Sequence, residues 1–345
     1  MRLVNGIFID IEDSDLTNLN ILFGGRGPGK TFSVLKHRVE NSFADETEQS
    51  KFIWMRDTET VIKKIAAGNS LTAPIEAKTP GFPHIIIDKH LDNYCFILNP
   101  NSDNYRILGY LMALSTFHNA RGISYDDVIN ITWDEFIPEE GTIIKKHQGI
   151  IFLNAYESIN RNRELEDPPR KPVQIIFLSN SEDLYSDVLE DLGVSYIVEN
   201  MSYENKQTYR DDDIWIEMID AKEFKAKKEK TFIYRINKNE KFKNTALNNK
   251  FNNDLSLIKP KINLKGSKGL LKVASRYTLI QLADGSLYWK LASWKGLQDY
   301  NMDNDQEAIL FRLLFHDKLR LHYIAGRMFF DSIYTQRNIL DYARF

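Results

Sequence analysis

The consecutive residues Gly24-Gly25-Arg26-Gly27-Pro28-Gly29-Lys30-Thr31 satisfy the pattern G-x-x-x-x-G-K-[ST] at every fixed position. Glycines let successive backbone N–H groups turn inward around a β-phosphate. A lysine at that spacing sets a point charge between the β- and γ-phosphates, and the next hydroxyl can ligate Mg²⁺. These residue types therefore suit the binding of a nucleoside triphosphate. Gly24, Gly25, Arg26, Gly27, Pro28, Gly29, Lys30, Thr31 and the adjoining Phe32 form the expected cradle of this P-loop.

A cradle alone only binds, so the deciding residues are those at the end of the next strong strand. The apolar run Asp127-Val128-Ile129-Asn130-Ile131-Thr132-Trp133 ends in Asp134-Glu135. This is the Walker B arrangement, in which Asp134 holds the Mg²⁺ shell while Glu135 orients and deprotonates the attacking water. Neighbouring side chains on extended backbone point to opposite faces, so both acids reach the phosphate only if the chain bends at the strand's end. The departing γ-phosphate also asks for positive charge. Arg161 and Arg163, in Asn160-Arg161-Asn162-Arg163-Glu164, come after the helix-like stretch Ile150 to Ile159, so two guanidiniums would project from one helix end. Arginines there equally suit the helix macrodipole, and the residues alone leave finger and cap level. Asn180, after the strand-like run Ile175 to Leu178, is placed either as a polar sensor of the γ-phosphate or as an ordinary turn-starting residue. Arg121, ahead of the Walker B strand, could reach a neighbour's nucleotide or simply face solvent.

These residues need a scaffold that brings strand ends together. Leu19-Asn20-Ile21-Leu22-Phe23 before the glycines reads as a strand, and Phe32, Val34, Leu35 and Val39 recur behind them at near-helical spacing. To about residue 205 apolar runs alternate with helical or loop segments, and several runs lack the polar alternation of a half-exposed strand. Such runs suit a mostly parallel sheet with helices on both faces. Between Tyr209 and Asn263 the composition shifts to Lys and Asn, which reads as a linker or small subdomain. Beyond it, the stretch Tyr277 to Leu291 reads as two strands joined at Asp284-Gly285, and helical spacing returns from Gln306 and after Tyr334. The expected division is 1–205, 206–250 and 251–345.

With 345 residues the chain has room for two cores, and 43% apolar, 27% charged residues are ordinary for a soluble globular protein. A single cysteine, Cys95, excludes an internal disulfide and a cysteine metal site, in keeping with a reducing cytoplasm. The N-terminus has no signal-peptide architecture, and no uncharged run approaches the ~18 residues of a membrane span, so the expectation is a cytosolic protein without a membrane partner. The formal charge of −3 hides an asymmetry: Lys222 to Lys272 carries 14 Lys and one Arg against three Glu and one Asp, a local +11 on a body of −14. That suggests a polyanion met at one place, or a solvated connector.

Taken together, the chain resembles the DNA-packaging ATPases, or encapsidation proteins, of small podophages of the Picovirinae type. The resemblance rests on the arginine-containing P-loop, the string Asp134-Glu135-Phe136-Ile137, the pair within Arg161-Asn162-Arg163-Glu164, and Leu178-Ser179-Asn180, in that order. It is clear over about residues 15–200 and weaker near Leu319-Arg320-Leu321-His322 and Asn338-Ile339-Leu340. It implies an additional-strand P-loop ATPase using ATP and Mg²⁺, a terminase-like translocase assembled as a homopentameric ring. Its place would be the portal vertex of an empty capsid in the host cytoplasm, driving double-stranded DNA inward. It also implies Arg161 as a finger acting in trans and Arg121 as a basic residue acting across the subunit interface. The C-terminal segment would be a small α+β ribonuclease-H-like domain that has lost its chemistry. A two-metal nuclease generally begins with an Asp in its first strand; the stretch Tyr277 to Leu282 has no acid, so no cleavage is expected. Some relatives engage a structural RNA, for which this sequence offers no signature. The competing readings are a non-translocating P-loop NTPase switch and a structural nucleic-acid-binding protein.

Overall fold

Apolar runs flanked by polar turns become strands wherever a partner covers both faces, and here the longest ones sit in the middle of a single large sheet. The computed structural model describes residues 1–4, 8–102, 105–120, 124–138, 147–180, 186–236, 255–292 and 294–345. Arg121 and positions 237–254 of the basic stretch lie outside the described residues. The chain forms two units, 1–195 with 205–252 and 196–204 with 253–345.

The first unit opens with a hairpin, β1 (Arg2–Val4) and β2 (Phe8–Asp10), followed by β3 (Leu19–Gly24), α1 (Lys30–Ala44) and β4 (Lys51–Arg56). Next come α2 (Glu59–Gly68), α3 (Ala73–Lys78), β5 (Ile85–His90), β6 (Asn93–Leu98), β7 (Arg106–Ala113) and β8 (Val128–Asp134). The unit continues with α4 (Gln148–Asn160), β9 (Gln174–Ser179) and α5 (Asp187–Asp191). Helix α6 (Ser195–Tyr203) lies almost wholly in the second unit. Then come β10 (Thr208–Arg210), β11 (Ile214–Ile219), α7 (Lys222–Lys228) and α8 (Phe232–Ile236).

Nine strands form one sheet in the order β10-β11-β3-β9-β8-β4-β7-β6-β5. From β11 to β7 every pairing is parallel, and antiparallel strands close both edges. Strand β9 lies between β3, which leads into the glycine-rich loop, and β8, which ends in Asp134. Because all these parallel strands end at one edge, their carboxyl ends bring distant residues together.

One face of the sheet packs Leu22, Trp54, Ile176 and Leu178 against Val34, Leu35 and Val39 of α1. The other carries an aromatic cluster: Trp133 stacks on Phe152 of α4 at 5.6 Å, and Phe177 meets both Phe152 at 4.9 Å and Phe136 at 5.1 Å. All four rings are fully buried. Such pairs contribute about 0.5–1.5 kcal/mol each beyond area burial, and they fix the end of β8 from below.

The expected boundaries are corrected here. Of the stretch 206–250, the described residues 206–236 form no separate linker subdomain: Ile214–Ile219 pairs in register with Leu19–Gly24, completing the sheet beside the P-loop strand, while 196–204 joins the second unit.

In the second unit β12 (Lys268–Val273), β13 (Tyr277–Gln281), β14 (Leu287–Leu291), β15 (Asp299–Tyr300) and β16 (Met328–Phe330) form a sheet ordered β15-β12-β13-β14-β16, with helices α9 (Asp305–Ile324) and α10 (Ile333–Ala343). The expected hairpin turns at Gly285, whose φ is 82°. It is not the sheet's beginning, because β12 precedes it; β12 also carries no acid.

Candidate nucleotide site at the carboxyl edge of the sheet

The P-loop comes directly after β3, and α1 begins at Lys30 with Gly29 as N-cap at φ 90°, so the helix's first amides point toward the loop's centre. Lys30 is buried. Its Nζ donates to the carbonyl oxygens of Gly24 at 2.7 Å and Gly25 at 3.0 Å, and to Asn180 Oδ1 at 3.3 Å. Burial pulls this ammonium from 10.5 down to about 8, against the opposing pull of Asp134. Asn180 thus stands at the loop's lysine.

The chain does bend at the end of β8. Glu135 has φ 60°, rare for a residue with a side chain, and both its N–H and that of Phe136 donate to Leu178 O, at 2.8 and 3.3 Å. Burial of Phe136 in the aromatic cluster holds the kink, and the kink turns Glu135 to the same edge as Asp134. Thr31 Oγ1 donates to both Asp134 oxygens, at 3.1 and 3.2 Å. A hydroxyl and a carboxylate converging on one point are hard oxygen donors, the set a Mg²⁺ ion takes alongside substrate phosphates.

Sequence reasoning missed Arg56, the last residue of β4. Its guanidinium bridges Asp134 and Glu135, Nη1 to Asp134 Oδ2 at 2.6 Å and Nη2 to Glu135 Oε2 at 2.5 Å. Asp134 is buried and Glu135 half-exposed, so this fork neutralises the inner acid and restrains the outer one. The available signal was a strand ending in arginine, informative only once β4 is known to neighbour β8.

Lys30, Thr31, Asp134, Glu135 and Asn180 line a cavity of about 770 Å³, a size suited to a small-molecule ligand. Its walls include Arg26, Gly27, Lys30, Thr31, Asp134, Glu135 and Asn180, and it extends along α1 past Phe32, Lys36, His37 and Glu40. The N-terminal hairpin forms the far wall and was likewise missed. Ile9 N–H donates to Pro28 O at 3.1 Å, the Ser33 hydroxyl donates to Ile9 O, and Asp13 ties the same segment to His37 and Arg38 of α1 at 2.9 and 3.1 Å.

The arginine pair separates. After α4 the backbone turns left-handed at Arg161 and Asn162, φ 46° and 57°, which folds Arg163 back under the sheet. Arg163 is buried and donates to Val128 O at 2.6 Å, Tyr125 O at 2.9 Å and Asp126 O at 3.3 Å. It anchors the start of β8, which corrects the expectation that two guanidiniums project from the helix end. Arg161 is exposed, reaching Ser158 O at 3.2 Å and Ser124 Oγ at 3.3 Å. Both sit at the amino edge, roughly 20 Å along β8 from Asp134 at ~3.3 Å per residue.

In the second unit the described residues contain no group of three or more His, Cys, Asp or Glu able to hold a metal, and no described helix of the chain is long and apolar enough to cross a membrane.

Known proteins resemble this chain in sequence and in fold. The DNA packaging protein of Bacillus phage B103 is 26% identical over 239 residues, covering 68% of this chain and 65% of the relative, so the match spans just under two thirds of that protein's length. A chain of the solved bacteriophage phi-29 viral genome packaging motor assembly shares the fold, with a TM-score of 0.64 at 17% identity over 97% of this chain and 98% of that one. A chain of the phi-28 gp11 DNA packaging motor gives 0.60 at 18% identity, over 95% and 94%. The family model described as podovirus DNA encapsidation protein (Gp16) matches residues 13–278, more than three quarters of the sequence, and the chain belongs to that family.

Proposed function

We propose that this chain hydrolyses ATP at boundaries between copies of itself, arranged as a homopentameric ring at a capsid's portal vertex in the host cytoplasm, and so drives double-stranded viral DNA inward. The observation that carries the reading is the split between the two sheet edges. Lys30, Thr31, Asp134, Glu135 and Asn180 converge on one cavity, while the exposed Arg161 stands roughly 20 Å away along β8. A finger so placed serves only a neighbour's nucleotide, and a chain with this geometry completes its site by assembling.

In this mechanism the loop amides and Lys30 bind the β- and γ-phosphates, and Thr31 and Asp134 would hold Mg²⁺, which screens phosphate charge when bound. Glu135 orients the attacking water and takes its proton. A carboxylate engaged by a guanidinium is a poor proton acceptor, so Arg56 must release Glu135 before turnover. Arg121, ahead of β8, is a second candidate to act across the boundary. Lysines of the basic stretch would contact DNA phosphates without reading bases. Lys222, Lys227 and Lys230 are exposed and suit that role, whereas Lys225 pairs with Asp220 at 2.8 Å and Lys272 with Asp299 at 3.5 Å. The second unit would serve contact with DNA, portal or scaffold, as a ribonuclease-H-like domain without cleavage activity.

The test is steady-state ATP hydrolysis across protein concentration, with and without double-stranded DNA. Specific activity that rises cooperatively with concentration, and further with DNA in a salt-sensitive way, is the expected result. Activity linear in protein and indifferent to DNA would replace the motor with a solitary NTPase switch.

A further inference from the structure

Gly27 is a glycine where the phosphate-binding pattern accepts any residue. The structure gives two reasons for it. Its φ of 110° lies where side chains are disfavoured, and a Cβ built on it would collide with Phe224 Cζ. The Phe224 ring, on α7, thus occupies the space that a Gly27 side chain would need. One turn further along the same helix, the Lys228 ammonium donates to the carbonyl oxygen of Arg26, the neighbouring loop residue. Both contacts are braced. Phe8 of β2 tilts against Phe224 at 6.4 Å, and the Lys228 ammonium lies over the rings of Phe224 at 5.4 Å and Tyr234 at 5.2 Å. Helix α7 has seven residues and none of them is buried, too little for a helix to persist by itself, so its contacts with its surroundings hold it.

We propose that Phe224 and Lys228 are positioning residues for phosphate binding: α7 clasps the P-loop at Arg26 and Gly27, sets the loop's shape, and is in turn set by it. The proposal rests on the reading of the loop as a nucleotide site. Linkage requires the effect to run both ways, so a ligand that fixes the loop must also fix α7. This helix opens the lysine-rich stretch, and nucleotide occupancy is therefore felt where the basic segment begins. Part of that stretch thereby acquires a role distinct from DNA contact.

The experiment titrates MgADP calorimetrically into the full chain and into Phe224→Ala, Phe224→Leu, Lys228→Ala and Lys228→Arg, and follows backbone hydrogen exchange over 222–236 with and without MgADP. The alanine variants should bind about tenfold more weakly, with the Leu and Arg variants recovering most of the loss. In the wild type, MgADP should slow exchange in 222–236, and in the alanine variants it should not. If the wild type binds MgADP with exchange there unchanged, or the alanine variants bind as tightly as it does, the clasp is wrong and the nucleotide site stands. A wild type that binds no MgADP overturns both readings. The wild-type exchange measurement decides even if a variant fails to fold.

Discussion

The two edges of the large sheet are built from the same kinds of residue and do opposite things with them. At the carboxyl edge Lys30, Asp134 and Glu135 line a cavity of about 770 Å³, and the contacts that hold them, Lys30 to Gly24 O and Arg56 to the two acids, are ones that a ligand could replace. At the amino edge Arg163 is committed to three backbone carbonyls, and the exposed Arg161 reaches Ser158 O and Ser124 Oγ at the surface. Charge in the first edge is placed where a ligand could exchange its contacts, whereas charge in the second fastens the fold at Arg163 and stays at the surface at Arg161. The lesson is that neighbouring arginines in one motif can divide structure from chemistry, and that the division arises from two left-handed backbone residues.

The sharpest way to break this contrast is to remove each arginine separately. Arg161→Ala should lower turnover by about 10³–10⁵-fold and leave the melting temperature unchanged, since the side chain is exposed and the finger supplies charge only in the transition state. Arg163→Ala should instead cost about 1–3 kcal/mol of stability by leaving buried carbonyls unpaired. In rings mixed with a Glu135→Gln subunit, Arg161→Ala should regain activity, because the dead subunit lends its intact finger to a neighbour's intact site. Equal effects of the two arginines on the melting temperature would erase the division.

Glu135→Gln itself comes next in size. General bases contribute about 10²–10⁴-fold, so turnover should fall by that amount while MgADP binding persists. Persistent hydrolysis would move the base elsewhere and leave the kink at Glu135 without a chemical purpose.

How much of this was legible depended on how local the chemistry is. The P-loop and Asp134-Glu135 could be read directly, because phosphate binding fixes residue types at fixed spacing. Strands β3, β8 and β9 were visible as apolar runs buried on both faces. Strand β11 was taken for linker because its partner lies almost two hundred residues upstream, and a run as short as Ile214-Trp215-Ile216 looks the same in either role. Arg56, Phe8 and Phe224 stayed hidden for a related reason: strand order and packing bring them to the loop, and no spacing encodes that. The arginines could be seen but not ranked, since the backbone turn at Arg161 and Asn162 decides which one folds inward.

A smaller effect sharpens the carboxyl edge by pH. Burial holds the free site's Lys30 at about 8, below its ordinary 10.5, and a bound polyphosphate wants the charged form. Below pH 8 the site is already protonated and affinity for ADP, measured without divalent cations, should be flat. Above pH 8 each binding event must first recover a proton, so affinity should fall by up to about tenfold per pH unit. Lys30's effect on folding has the opposite sign. Between about 8 and 10.5 the unfolded chain holds the proton that the folded chain has lost, so this residue makes stability rise with pH in the window where binding weakens. ADP affinity that stays flat to pH 10 would show that the lysine is not the group that binding depends on.

The smallest predicted effect asks whether the carboxyl edge is restrained as well as assembled. Arg56→Lys keeps a positive charge near Asp134, but a single ammonium lacks the planar fork that spans two carboxylates. If the bridge to Glu135 is a restraint on the proton acceptor, unstimulated hydrolysis should rise a few-fold while the stimulation by DNA shrinks by a similar factor. If the arginine instead completes the catalytic set, both rates should fall together. Either outcome leaves the pairing with Asp134 as the structural half of the contact, because that acid is buried beside Thr31 and needs a counter-charge whenever no nucleotide is bound. On either outcome the same guanidinium would serve the fold through one nitrogen and the reaction through the other, two tasks that in the proposed mechanism the arginines of the amino edge divide between two residues.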